Sequence, residues 1–278
     1  MNALSKPVNQ PIPGEHLDVV DSHADAIDEN TLANRFSKAA SQYDAQAKIQ
    51  LSIANAALSN LPLRLQGQWL DIGCGTGMHT QTLFQRGAEI TGIDIAAGMI
   101  DTARIRYPDI SFVEGSAQAL PVENSQVDRL FSSMALQWCS NTQRVANECA
   151  RVLRVGGEAE FSIMVAGSFQ ELHSSRLLAQ LPEALTPMPT ASAWLSSFLN
   201  AGFKVSRLIT KDYVDTHADV MNLLRSIKGV GAGETGKRHA TLSRRDLKKL
   251  GIAYENRFGV EGTLPLTYRV SHFRLKKS

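Results

Sequence analysis

The sequence predicts an α/β fold, built as one mostly parallel, doubly wound sheet with helices on both faces. Three observations predict it. Short apolar runs alternate with segments of helical period across residues 69–165. One junction, Trp69-Leu70-Asp71-Ile72-Gly73-Cys74-Gly75-Thr76-Gly77, passes from strand through alternate glycines into a helical segment over 78–84. That arrangement brings a nucleotide-like ligand against bare backbone N–H groups. A second apolar run ends in an acid, Asp94, about 20 residues past the turn, where such sheets place a ribose-binding carboxylate.

Composition limits the rest. The chain has 278 residues, 43% of them hydrophobic, enough for one sizeable core with an insertion. A net charge of +2 carries no global nucleic-acid signature. No stretch is long and apolar enough to cross a membrane, and the N-terminus lacks a basic-then-apolar leader. The three cysteines, Cys74, Cys139 and Cys149, suit neither a disulfide framework nor a metal site. A reducing cytoplasm is the expected location.

Residues 1–30, with Pro7, Pro11, Pro13 and a loose acidic run through Glu29, read as a mobile tail. The ordered domain, 31–278, opens on a helix in which Phe36, Ala39, Ala40, Tyr43, Ala47 and Leu51 recur at helical spacing. This helix either packs plainly or lies over the ligand as a lid, with Tyr43 and Gln50 turned inward.

At the glycine turn, Asp71, Gly73, Gly75 and Gly77 are the candidate cofactor residues. The spacing is not the dinucleotide fingerprint, because its third small position falls on Met78 or Thr80. A strand over 88–94 ends at Asp94, which either accepts from ribose hydroxyls or caps the helix over 96–104. A third strand covers 110–114, and Ser116 and Ala117 follow it as further candidates. A fourth strand runs over 127–133. Behind it, Met134, Gln137 and Trp138 stand in the loop at a strand's carboxyl end, where open α/β sheets keep their active sites. Trp138 reads as core or as ligand wall.

A helix over 141–153 ends at Arg154-Val155-Gly156-Gly157, with glycine read as its C-cap. A fifth strand over 157–165, a helix over 168–181, a proline-marked break, a helix over 192–200 and a strand over 203–213 follow. Residues 217–257 are more than a minimal domain needs. They hold a helical stretch around Arg225 and Lys228, a glycine-rich stretch over 229–233 and the basic Arg244-Arg245-Asp246-Leu247-Lys248-Lys249. Basic residues outnumber acidic ones there by about two to one, which suits an acidic partner or a solvated helix face. An alternating last strand covers 265–275.

The motif Asp71-x-Gly73-x-Gly75-x-Gly77 resembles the first motif of class I S-adenosylmethionine-dependent methyltransferases. Other stretches resemble one family within that class, the malonyl-acyl-carrier-protein O-methyltransferases of biotin synthesis. They are residues 36–50, Ala135-Leu136-Gln137-Trp138-Cys139, Gly167-Ser168-Phe169-Gln170-Glu171-Leu172-His173, the run from Leu224 to Ala232, and Pro265-Leu266-Thr267-Tyr268. They are collinear from about Thr31 onward. Ser116 departs from the acid that the class often carries near the adenine edge.

The resemblance implies a Rossmann-like class I methyltransferase with a seven-stranded sheet, N-terminal lid helices and a substrate-side helical insertion before the last strand. It implies S-adenosylmethionine as cofactor, no metal, and acyl carrier protein bearing a malonyl thioester as partner. The methyl group goes to the free malonyl carboxylate, and the ester hides its charge from fatty-acid synthesis. Such a carboxylate is ionised at pH 7 and needs no general base. Selecting it over an acetyl group calls for one cation, with Arg225 the first candidate and Lys228 one turn on. Arg151 is a weaker choice. Tyr43, Gln137 and Trp138 form walls, and His173 lines the acceptor side or serves structure.

Overall fold

The structure, a computed structural model, describes residues 28–182, 188–229 and 242–278. The proline-rich segment before Asp28 and the glycines at 231 and 233 lie outside the described residues.

Helices α1 (Glu29–Ala39), α2 (Tyr43–Gln46) and α3 (Lys48–Leu58) precede the sheet. The alternating core then runs β1 (Gln68–Ile72), α4 (Met78–Gln85), β2 (Glu89–Asp94), α5 (Ala97–Arg106), β3 (Ser111–Glu114), β4 (Val127–Ser133), α6 (Thr142–Val152) and β5 (Leu153–Met164). It closes with α7 (Gln170–Leu178), α8 (Ala191–Asn200), β6 (Phe203–His217), α9 (Val220–Gly229), α10 (Arg244–Phe258) and β7 (Leu264–Lys277). The seven strands lie in the order β3-β2-β1-β4-β5-β7-β6. Only β7 runs antiparallel to its neighbours.

Strand alternation divides the core between the two faces of the sheet. Leu70, Ile72, Leu130, Phe161 and Phe273 point to one face and pack on Val145 and Cys149 of α6 and on Trp194 and Phe198 of α8. Their chain neighbours Trp69 and Phe131 point the other way, onto Leu58, Leu83 and Ile100. On that same side, Met164, Leu266, Tyr268 and Val270 meet α7, α9 and α10 through Leu172, Leu223 and Leu250. A central strand covered on both faces is buried along its length, as β1 is after its first residue, with Asp71 its one charged side chain.

Among the boundaries that differ from the sequence reading, three change the local structure. The first helix begins at Glu29, because Asp28 accepts from the N–H of Thr31 at 3.0 Å and caps it. The single N-terminal helix breaks into three short ones around residues 40–47. Gly156 and Gly157 do not cap α6. The chain turns extended at Leu153, and the two glycines lie inside β5, where its register with β4 shifts between Val127 and Arg129.

Candidate active site

The strand order reverses between β1 and β4, and the carboxyl ends of both strands open onto the same crevice. The glycine turn leaves β1 with Gly73, Gly75 and Gly77 at φ of 73°, 55° and 84°, a region other residues enter only with strain. On the β4 side, Met134 takes a positive φ of 57° without being glycine. Such strain of about 1–3 kcal/mol is characteristic of functional loops. Its N–H donates to the Ser162 carbonyl at 2.8 Å, and its own carbonyl accepts from Gln137 Nε2 at 2.7 Å.

A cavity of about 720 Å³, counting the space open to solvent at its mouth, occupies this crevice. Gly73 and Gly75 floor one end. Asp94, Ile95 and Met99 line the middle beside Ser116 and Ala117, and Met134, Leu136, Trp138 and Cys139 form the opposing wall. Glu29, Leu32, Phe36 and Tyr43 roof it. Among the ties that hold the lid down are two near the glycine turn and α5. Asp44 accepts from the Thr76 hydroxyl in the glycine turn at 2.6 Å and pairs with Arg106. Gly98 donates its N–H to Ser37 Oγ at 3.1 Å, and a Cβ on Gly98 would sit 2.7 Å from the Ser37 carbonyl oxygen.

Asp94 is not the N-cap of α5, which is Ala96. The Asp94 carboxylate lines the cavity, one oxygen accepts from Gly75 N and the other from Ala96 N, each at 2.9 Å. Burial raises its pKa, and those backbone bonds oppose the rise. Asp71 lies behind the turn, 2% exposed, accepting from the Thr80 hydroxyl at 2.6 Å. Burial lifts its pKa to about 7. Asp71 and Gly77 shape the turn rather than line the cavity.

A second chamber, about 330 Å³, shares Phe36, Tyr43, Met134 and Trp138 with the first. Gln50, Gln137, Met164, Phe169, Ile227 and Tyr268 complete it. Phe36 meets Trp138 edge-on with ring centres 6.2 Å apart, and Phe169 meets Tyr268 at 4.8 Å. Gln137 Oε1 and Gln50 Oε1 are buried without a partner among the described residues. Burial raises the Tyr43 phenol well above its ordinary pKa, and Asp94 and Asp44 add to the shift. Burial, then Asp215 and Tyr43, does the same to Tyr268. Both phenols stay neutral and can donate hydrogen bonds at physiological pH.

Of the expected residues, Tyr43, Gln50, Gly73, Gly75, Asp94, Ser116, Ala117, Met134, Gln137 and Trp138 converge on these two spaces. The four expected substrate-side basic residues do not. Helix α9 buries Val220, Leu223 and Ile227, which turns Arg225 and Lys228 outward to solvent. Arg225 bonds Asn222 Oδ1 at 3.2 Å. Arg151 chelates Glu148 and donates to the carbonyls of Leu120 and Val122, pinning the segment before β4. His173 is half-buried in α7 and lines neither space. The sequence reading missed Glu29, which it left in the tail, and Phe169 and Tyr268, which it quoted only for resemblance. Alternation of Leu266, Tyr268 and Val270 marks their shared buried face.

The sheet order and the cavity at its switch point define a class I methyltransferase. Residues 70–161 match the family model described as a methyltransferase domain. The YcgJ protein of Bacillus subtilis shares the fold, with a TM-score of 0.57 at 17% identity over 81% of this chain and 98% of its own. A malonyl-[acyl-carrier protein] O-methyltransferase of Serratia marcescens is 35% identical over 258 residues, covering 89% of this chain and 96% of the relative. A biotin biosynthesis bifunctional protein of Cellvibrio japonicus is 32% identical over 94% of this chain, which spans 52% of that longer protein. The chain belongs to the malonyl-[acyl-carrier protein] O-methyltransferase family. Its cofactor is S-adenosylmethionine, and the glycine cradle, the acid at Asp94 and the apolar slot beyond it fit that molecule.

Proposed function

We propose that this enzyme methylates the free carboxylate of a malonyl thioester carried on acyl carrier protein. The observation that carries the reading is the second chamber. It adjoins the cofactor cavity through four shared residues and is lined by aromatic and neutral polar side chains. The relatives named for this reaction support the choice of substrate.

When bound, S-adenosylmethionine supplies a methyl group on a positively charged sulfur, open to direct displacement. The acceptor is ionised at neutral pH, with a reference pKa near 4, so the chain has no proton to remove. Placement is what remains, and good placement supplies about 7–11 kcal/mol. Tyr43 borders both spaces and stands where the two reactants meet. Its neutral phenol, with that of Tyr268, orients the carboxylate by hydrogen bonds. No lysine or arginine lines the chamber among the described residues. A neutral donor holds the carboxylate without quenching it as a salt bridge would. Phe36, Trp138 and Phe169 exclude water from the reacting oxygen.

The basic residues belong to a different task. Arg225 and Lys228 on α9, and Arg244, Arg245, Lys248 and Lys249 on α10, are all exposed. They suit the acidic surface of a carrier protein, whose charge they steer and orient. The test is genetic complementation. The gene should restore growth without biotin to a bacterium lacking its own malonyl-carrier methyltransferase, and Tyr43→Phe should weaken the rescue. Failure of the wild-type gene, expressed and folded, would count against the reading.

A further inference from the structure

Glu29 is a carboxylate on the wall of the cofactor cavity. The apolar side chains of Ile95, Met99, Leu136 and Cys139 line the same cavity. That lining suits a flat, uncharged base. Beside it Glu29, delivered from the first turn of α1, meets Ser116, 87 residues away in sequence. The Glu29 Oε1 atom accepts from Ser116 Oγ at 2.7 Å and from Gln118 Nε2 at 2.6 Å. Gln118 is itself held, because its Oε1 accepts from Asn141 N at 3.1 Å, at the start of α6. The carboxylate is thus fixed by one oxygen. The other, Oε2, accepts no hydrogen bond among the described residues.

A fixed acceptor on the wall of this cavity calls for a donor on the purine. Adenine has one in its exocyclic amino group. We infer that Glu29 reads the adenine amino group of the cofactor, supplying from the lid the negative charge that Ser116 does not bring from the sheet. Two consequences follow. The enzyme selects adenine over a purine whose corresponding atom is an acceptor, because a carbonyl oxygen there would face a carboxylate. The cofactor also fastens the lid, since one carboxylate bridges α1, the segment after β3 and the bound base. Phe36 and Tyr43, further along the same lid, are then held over the reacting centre more firmly when the base is seated. This rests on the cavity being the S-adenosylmethionine site, not on the identity of the acceptor.

The test is binding, without turnover. Titration calorimetry on the full chain compares S-adenosylhomocysteine with S-inosylhomocysteine, its deaminated counterpart, which carries a carbonyl in place of the amino group. Wild type should prefer the adenosyl compound by at least about tenfold, the scale of a hydrogen bond to a charged group. Glu29→Gln keeps an oxygen for Ser116 and Gln118 but places an amide N–H₂ toward the base, so the preference should shrink or invert. The double variant Glu29→Ala, Ser116→Asp returns the charge from the sheet side and should recover preference for the adenosyl compound relative to Glu29→Ala alone. Trp138 fluorescence, 6.2 Å from the Phe36 ring by ring centre, reports lid seating in the same samples. An unchanged preference in folded Glu29→Gln would overturn the proposal. Absence of any binding in wild type would instead count against the cofactor site itself.

Discussion

A Cβ on Gly73 would overlap the Cβ of Ala135, so the turn after β1 and the loop after β4 meet with no room for a side chain between them. This contact joins the cofactor floor to the wall that carries Met134, Gln137 and Trp138. The two halves of the site are therefore placed by one close approach. Gly73→Ala should lower affinity for S-adenosylhomocysteine at least about tenfold and lower the Tm. Adding Ala135→Gly removes the overlap and should recover part of both losses. The remainder is the cost of holding a non-glycine residue at a φ of 73°, about 1–3 kcal/mol. Calorimetric titration and thermal melting of wild type and the two variants measure the split.

The two phenols give a second expectation. If Tyr43 and Tyr268 hold the acceptor carboxylate, Tyr43→Phe and Tyr268→Phe each lose a hydrogen bond to a charged group, about 1.5–3 kcal/mol. That is a fall of roughly 10–150-fold in kcat/KM for malonyl-carrier protein. Affinity for S-adenosylhomocysteine should stay within about threefold of wild type. Steady-state kinetics and titration on the same preparations separate the two effects. A loss of cofactor affinity as large as the loss of turnover would move Tyr43 to the cofactor instead.

Asp71 sets a pH dependence of stability. Its carboxyl is raised by burial from 3.8 to about 7. The unfolded chain therefore gives up this proton at lower pH than the folded one. The favourable contribution is full below pH 4 and is lost as pH rises toward 7, at about 1.4 kcal/mol for each unit of pKa difference. Asp71→Asn keeps an oxygen for the Thr80 hydroxyl and removes the titration. The ligand-free variant should gain stability relative to wild type between pH 5 and pH 8. Chemical denaturation at both values checks the sign.

Much of this was legible in the chain. The apolar run into Gly73, Gly75 and Gly77 marked the switch point, and Asp94 followed at the right interval, because both depend on local chemistry. The walls at Met134, Gln137 and Trp138 were legible from their place after a strand. Two kinds of residue were not. Glu29 sits one residue after an N-cap, Asp28, in an acidic stretch that reads as tail. Only its long-range bonds to Ser116 and Gln118 reveal it as part of the site. Arg225 is the converse. Charge alone suggested a substrate clamp, but the buried face of α9 at Val220, Leu223 and Ile227 turns it away. Periodicity over 220–228 contained that answer, and the demand for a cation hid it.

The outward charges carry their own expectation. Reversing Arg225 and Lys228 to glutamate should raise KM for malonyl-carrier protein several-fold at low salt. The effect should shrink as salt screens it over a Debye length near 10 Å at 0.1 M. With malonyl-coenzyme A as acceptor, which presents no protein surface, the same change should matter far less. Equal losses on both acceptors would place these residues in the chemistry after all.

The most direct measurement is methyl transfer itself. Purified enzyme is given methyl-labelled S-adenosylmethionine with malonyl- or acetyl-carrier protein, and the product is located by mass spectrometry. One methyl group should appear on the malonyl carboxylate, removable by mild base, and none on the acetyl form. Label on the carrier polypeptide, equal labelling of both acceptors, or no label on either would contradict methylation of the malonyl carboxylate.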